Sequence, residues 1–133
     1  MGNINSININ SVKNMKIINF DDMNDAIKKN YIIINTLDEN NQECLIQNTI
    51  SPNEEIKIIN EYLNKSKDKH IIIYGKNNND EKIFLKYKQL MNLGFTNIYL
   101  YIGGLFEWLL LQEIYGDENF PTTSKEIDIL KYK

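Results

Sequence analysis

Residues 70–80 read HIIIYGKNNND: a short apolar run, then a turn of glycine and asparagines, with a helical pattern starting from Asp80. Ile71, Ile72, Ile73 and Tyr74 run together with no polar residue between them, which fits a strand covered on both faces rather than one half-open to water. Such strands belong to parallel sheets, where the loop leaving a strand's carboxyl end is the usual place for ligands and chemistry. Here that loop is Gly75, Lys76, Asn77, Asn78, Asn79 and Asp80. None of the six offers a nucleophile or a general base for a reaction.

The flanking segments extend this strand into a fold. Upstream, Ser51 caps, Pro52 takes the first helical position and Glu54 completes a capping box, opening a helix to about Ser66 with Ile56, Ile59 and Leu63 on one face. With CLIQNTI at 44–50 as a shorter strand before it, this makes a βαβ unit. Downstream, Ile83, Tyr87 and Leu90 recur at helical spacing and Gly94 stops the helix in a left-handed conformation. NIYLYI at 97–102 is a further strand, and Gly103 and Gly104 turn the chain into the apolar helix LFEWLLLQEIY, ended by Gly116.

Nearer the amino terminus, MKIIN at 15–19 is a short strand whose Asn19 caps the helix FDDMNDAIKKN. That helix has acids in its first turn and lysines in its last, as the helix dipole favours. YIIINTL at 31–37 is a second continuous apolar strand, followed by the loop LDENNQE. The alternation predicts a three-layer α/β/α sandwich around a mostly parallel five-stranded sheet. Residues 1–14, rich in Asn, Ile and Ser, are expected to be a flexible arm, 15–122 the domain, and 123–133 a carboxyl-terminal extension beyond Pro121.

Composition narrows the function classes. A chain of 133 residues with 42% hydrophobic and 25% charged residues fits one domain with its own core, and a net charge of -3 gives no electrostatic footprint for nucleic acid. One cysteine and one histidine exclude a disulfide framework and a zinc site; no cofactor is implied. The lone cysteine points to the reducing cytoplasm, and no run reaches the roughly 18 apolar residues that mark a membrane span. Arginine is absent while Asn, Ile, Lys and Tyr abound, a bias of AT-rich coding that makes Asn77–Asn79 drift in a tolerant loop rather than an amide ladder.

The order of elements, and the wording of INFDDMNDAIKKNYIIINTL, IQNTI, NEEIKIINEYLNKSKDKHIIIYG, LGFTNIYLYIGGLFEW and the later FP, resemble the rhodanese-like domain across residues 16–121. LGFTNIY followed by the Gly103–Gly104 pair and Trp108 is the most specific piece. The resemblance implies a sulfurtransferase scaffold whose catalytic cysteine opens the loop after the fourth strand and carries sulfane sulfur as a persulfide. Loop N–H groups and a helix amino terminus would lower that thiol's pKa.

The chain departs from the family at the decisive place. Where the family has Tyr-Cys-Arg-Ser-Gly, this sequence has Tyr74-Gly75-Lys76-Asn77-Asn78. The stretch from there to LGF is longer than the family's, as in the cell-cycle phosphatases of this fold, but phosphatase chemistry needs a cysteine and a phosphate-forking arginine that the chain lacks. The family's Asp-x-Arg becomes Asn35-Thr36-Leu37 and its Pro-Gly turn becomes Gln47-Asn48. A catalytically inactive rhodanese-like module that works by binding, regulating or scaffolding is therefore expected, with another protein as its partner and Gly75–Asp80 part of its recognition surface. The alternative is a sulfurtransferase acting through Cys44 as a relocated nucleophile.

Other chemistry-bearing residues read as structural. His70 precedes a strand on a polar surface; Glu107 and Glu113 sit six positions apart and do not share a helix face; Phe106, Trp108, Leu109 and Leu110 read as core. Lys76 and the turn amides attract an anion weakly, with Asp80 and Glu81 competing at the helix start. MGNINS matches the N-myristoylation pattern at Gly2, but one acyl chain beside Lys13 and Lys16 gives no stable membrane insertion.

Overall fold

A computed structural model of the chain describes residues 15–133. The expected arm at 1–14 and the Gly2 motif lie outside those residues. Four strands form one parallel sheet: β1 (Lys16–Ile18), β2 (Ile32–Asn35), β3 (Ile71–Tyr74) and β4 (Ile98–Tyr101), in the order β1-β4-β3-β2. β3 is interior, Ile72 lying opposite Ile33 of β2 and Tyr99 of β4.

The apolar strands sort their side chains by parity, as a pleated strand must. Ile33, Ile72, Tyr74 and Tyr101 face α1 (Phe20–Lys28) and α4 (Gly104–Tyr115) through Met23, Ala26, Leu105, Trp108 and Leu109. Ile32, Ile34, Ile71, Ile73, Ile98 and Leu100 face α2 (Pro52–Lys65) and α3 (Lys82–Asn92) through Ile59, Ile83 and Leu90. Both sheet faces are thus dry, and each fully buried isoleucine contributes about 1.5–3 kcal/mol. Trp108 is wholly buried, edge-on to Tyr101 and Phe120.

Local signals behave as their chemistry dictates. Asn19 forms a reciprocal capping box with Asp22, and Gly94 at φ 104° ends α3, with Phe95 beyond it buried and Leu93 before it exposed. Ser51 is a correction: its side chain makes no capping bond, and its carbonyl instead accepts from Glu54 and Glu55 N–H. Ile56 is a second, being 72% exposed; α2 is fastened by Ile59, with Ile58, Tyr62 and Leu63 half-buried around it.

The expected fifth strand at 44–50 is reduced to isolated bridges, Ile33 to Thr49 in parallel and Ile46 to Thr122 in antiparallel sense. Asn48, at φ 70°, breaks the extended run, a left-handed position that asparagine tolerates better than most residues. The backbone groups of this segment find partners elsewhere: Leu45 N–H on Thr123 Oγ1, Ile46 N–H on the Tyr74 hydroxyl, Gln47 N–H on the Pro121 carbonyl and Ile50 N–H on the Ile33 carbonyl. Residues 117–133 are mostly irregular, with a 3-10 turn at Ile129–Tyr132, and fold back on the core so that Phe120 and Tyr132 are buried in it. Among the described residues no helix is long and apolar enough to cross a membrane.

Candidate functional site

The carboxyl edge of the sheet opens into a cleft of about 560 Å³ between the segment after β2 and the loop Gly75–Asp80, lined by Thr36, Asp38, Asn41, Lys76, Asn79 and Lys82 among others. Lys82 Nζ lies 2.7 Å from Asp38 Oδ1. The hydrogen bond and charge of Lys82 hold the Asp38 carboxyl below its ordinary range, and Asp38 holds the Lys82 amine above its own.

Of the six loop residues named from the sequence, Lys76, Asn77, Asn79 and Asp80 line this edge, Gly75 is buried behind it, and Asp80 organises it. Its Oδ2 accepts from the Lys76 N–H at 2.9 Å and from the Thr36 hydroxyl at 3.2 Å, while Oδ1 accepts from the Lys82 N–H at 2.9 Å. Asn77 holds the turn, its Oδ1 accepting from Asn79 N–H and its carbonyl from Asp80 N–H, and its amide donates to the Tyr132 carbonyl at 2.9 Å. Asn78 is exposed. The N–H groups of Lys76, Asn79, Asp80 and Lys82 are therefore all engaged from within the chain.

Gly75 is buried, and a Cβ built on it would clash with Asp80 Oδ2 and lie 2.8 Å from Asp80 Cγ and 2.9 Å from Thr36 Oγ1. The space into which a side chain at 75 would project is thus taken by a carboxylate. The start of α4 is turned to the same loop, Leu105 N–H donating to the Gly75 carbonyl and Phe106 N–H to the Lys76 carbonyl, both at 2.9 Å. These first N–H groups, which at a helix start often meet an anion, meet loop carbonyls here. Gly104 makes that approach possible at φ 70°, where a Cβ would lie 2.7 Å from the Gly75 oxygen and 2.9 Å from Asn77 N.

Cys44 is not brought into the cleft residues. It is buried in the core beside α4 and Tyr132, its thiol donating to the Ser124 carbonyl at 3.3 Å. Burial pushes that thiol's pKa up, outweighing a hydrogen bond from Thr122, which is opposite to what a sulfur nucleophile requires. Of the remaining residues, His70 stacks between Tyr31 and Tyr99 with Nδ1 3.1 Å from the Tyr99 hydroxyl. Glu107 accepts from the Tyr101 hydroxyl at 2.6 Å, while Glu113 is exposed.

A family model described as the rhodanese-like domain matches residues 5–111. The chain belongs to the rhodanese-like domain family. A search of curated proteins returns no match. Among solved structures, one of a protein from Anabaena sp. is 19% identical, with 86% of each chain covered and a TM-score of 0.57. One of a protein from Lactobacillus plantarum is 16% identical, covering 84% of this chain and 96% of that one, with a TM-score of 0.56. At these identities the likeness concerns the fold alone.

Within the family frame, the polar positions lost after β2 have a local replacement that sequence reading missed. Asn35 and Gln42 pair their amides in both directions, at 3.0 and 2.9 Å, and Asn35 Oδ1 also accepts from Leu37 N–H. Thr36 was likewise unmarked, because a hydroxyl after a strand has no signature until its partner is known. Asp80 was legible only as a carboxylate near a helix start; its turn back towards Gly75 follows from Thr36, distant in sequence.

Proposed function

We propose that this rhodanese-like domain is catalytically silent in sulfur transfer and works as a binding, regulatory or scaffolding module whose partner is another protein of the cytoplasm. The observation that carries the reading is the Asp80 carboxylate at the place of a side chain on Gly75, held by Lys76 N–H, Lys82 N–H and Thr36. A persulfide carrier needs a thiolate stabilised by loop N–H groups. Here the loop has no sulfur, and the Lys76 N–H, with the Lys82 N–H just beyond the loop, already serves an internal anion. The buried, pKa-raised Cys44 lends no support to the alternative.

The test is thiosulfate:cyanide sulfurtransfer by the purified protein beside a Cys44→Ser variant, with alkylation of Cys44 followed in parallel. The two proteins should both stay at background, and Cys44 should react with iodoacetamide only after denaturation. Turnover by the wild type that Cys44→Ser abolishes would overturn the reading.

A further inference from the structure

On the face opposite α2 and α3, a groove of about 850 Å³ runs between α1 and the carboxyl end of α4. Its floor is aromatic: Phe20 and Tyr115 flank the buried Phe120 with ring centroids 5.8 and 6.1 Å from it, and Tyr115 is 60% exposed. Its rim is acidic, with Asp21, Asp25 and Glu118 against one cation, Lys28. Asp21 in the first turn of α1 is accounted for by the helix dipole. Asp25 stands one turn further on, with Asp21 four residues before it and Lys28 and Lys29 three and four residues after it, yet it forms no ion pair with either lysine. Among the described residues none of these three carboxylates forms an ion pair or a side-chain hydrogen bond.

Carboxylates around an exposed tyrosine and a half-buried phenylalanine are the chemistry that receives a cation, the rings through their quadrupoles and the acids through charge. The space exceeds what one metal ion needs and falls in the range of pockets that hold organic ligands. We propose that this groove docks a basic segment of a partner protein, with a lysine or arginine side chain passing over Phe20 and Tyr115 to reach Asp21, Asp25 and Glu118. The apolar stem of that side chain covers the rings while its head neutralises the rim. The proposal rests on the reading of the domain as a binding module and names the face and the partner's chemistry.

The experiment titrates the full chain with the peptide acetyl-Gly-Leu-Arg-Gly-Leu-Arg-Gly-amide, its glutamate counterpart and spermidine, at about 150 mM salt so that diffuse attraction is screened, following amide shifts by NMR. The arginine peptide should bind saturably, with shifts confined to 20–28 and 111–120, and the glutamate peptide should not bind. Its Kd should rise about tenfold in Asp25→Asn/Glu118→Gln and in Tyr115→Ala, and stay within about twofold in Glu39→Gln/Glu43→Gln, which removes the same charge elsewhere. No saturable binding, shifts spread over the surface, or equal weakening in both double variants would overturn it. Saturation of the same residues by spermidine as tightly as by the peptide would also overturn it, by making the occupant a small polycation. Sulfurtransfer assays on the same samples report separately on the silent-module reading, since neither the groove nor its variants touch the Gly75 loop.

Discussion

Placing a methyl group on Gly75 tests the occupied cradle directly. Gly75 does not adopt a left-handed backbone, so alanine meets no conformational penalty there and the cost of Gly75→Ala comes from the clash with Asp80. Relieving that clash means swinging out a carboxylate that holds Lys76 N–H, Lys82 N–H and the Thr36 hydroxyl. Hydrogen bonds to charged groups are worth about 1.5–3 kcal/mol each when desolvated, and rehydration of the freed carboxylate returns part of that. A loss of about 2–4 kcal/mol follows, or roughly 6–20 °C in Tm for a domain of this size. In an Asp80→Ala background the new Cβ meets only Thr36 Oγ1, which can rotate, so the second substitution should cost less than about 1 kcal/mol. Urea unfolding of the four proteins gives the coupling energy, expected at about 1.5 kcal/mol or more. Gly75→Ala costing less than about 0.5 kcal/mol, or costing the same in both backgrounds, would refute the argument. Gly75→Cys carries the same clash and sets a thiolate against a carboxylate; efficient sulfurtransfer by that single variant would refute it equally.

Further outcomes concern glycines of positive φ and a buried tyrosine. Gly104→Ala should lower stability by about 2–4 kcal/mol, because its Cβ meets backbone atoms of Gly75, Lys76 and Asn77; Gly116→Ala, with nothing nearby but at φ 94° and ψ 158°, a region nearly closed to residues with a Cβ, should cost about 1–3 kcal/mol from backbone strain alone, both read by thermal unfolding. Tyr74 donates and accepts in the core, with Ile46 N–H at 3.1 Å and the Thr49 hydroxyl at 2.8 Å, so Tyr74→Phe leaves a buried N–H unpaired at a cost of about 1–3 kcal/mol. Burial pushes the Tyr74 pKa well above that of an unfolded tyrosine: the unfolded chain releases its proton first, so stability is whole below about pH 10 and falls as pH rises beyond it. Tyr74→Phe should shed part of that alkaline slope in pH-dependent urea melts; an unchanged slope would count against it, with Tyr101 and Tyr132, also raised by burial, carrying the rest.

The parts of the fold set by local rules were legible in the sequence. The doubly covered strand Ile71–Tyr74, the Asn19 cap and the Gly94 stop each depend on near neighbours, and each appears where it was read. Segment 44–50 was misread because its apolar pattern says strand, while its partners, Thr122, Thr123 and the Tyr74 hydroxyl, lie 25 or more residues away. The site divides the same way. The loss of the nucleophile at Gly75 was visible in the residue itself, whereas the carboxylate standing in that space required Thr36 and Asp80, 44 positions apart, to be brought together.

The irregular segment beside β2 also bears on how this protein meets copies of itself. A long flat edge strand offers a row of unpaired N–H and C=O groups on which another chain can extend the sheet. Past β2 the chain presents instead a kink at Asn48, one parallel bridge at Thr49, and amides committed to side chains and to residues 121–123. An incoming strand finds no register to copy there. A segment held by side-chain bonds where a fifth strand could have formed thus becomes a guard against sheet-to-sheet polymerisation at that edge, which matters for a sequence so rich in isoleucine runs, each of them a ready template wherever it is left uncovered.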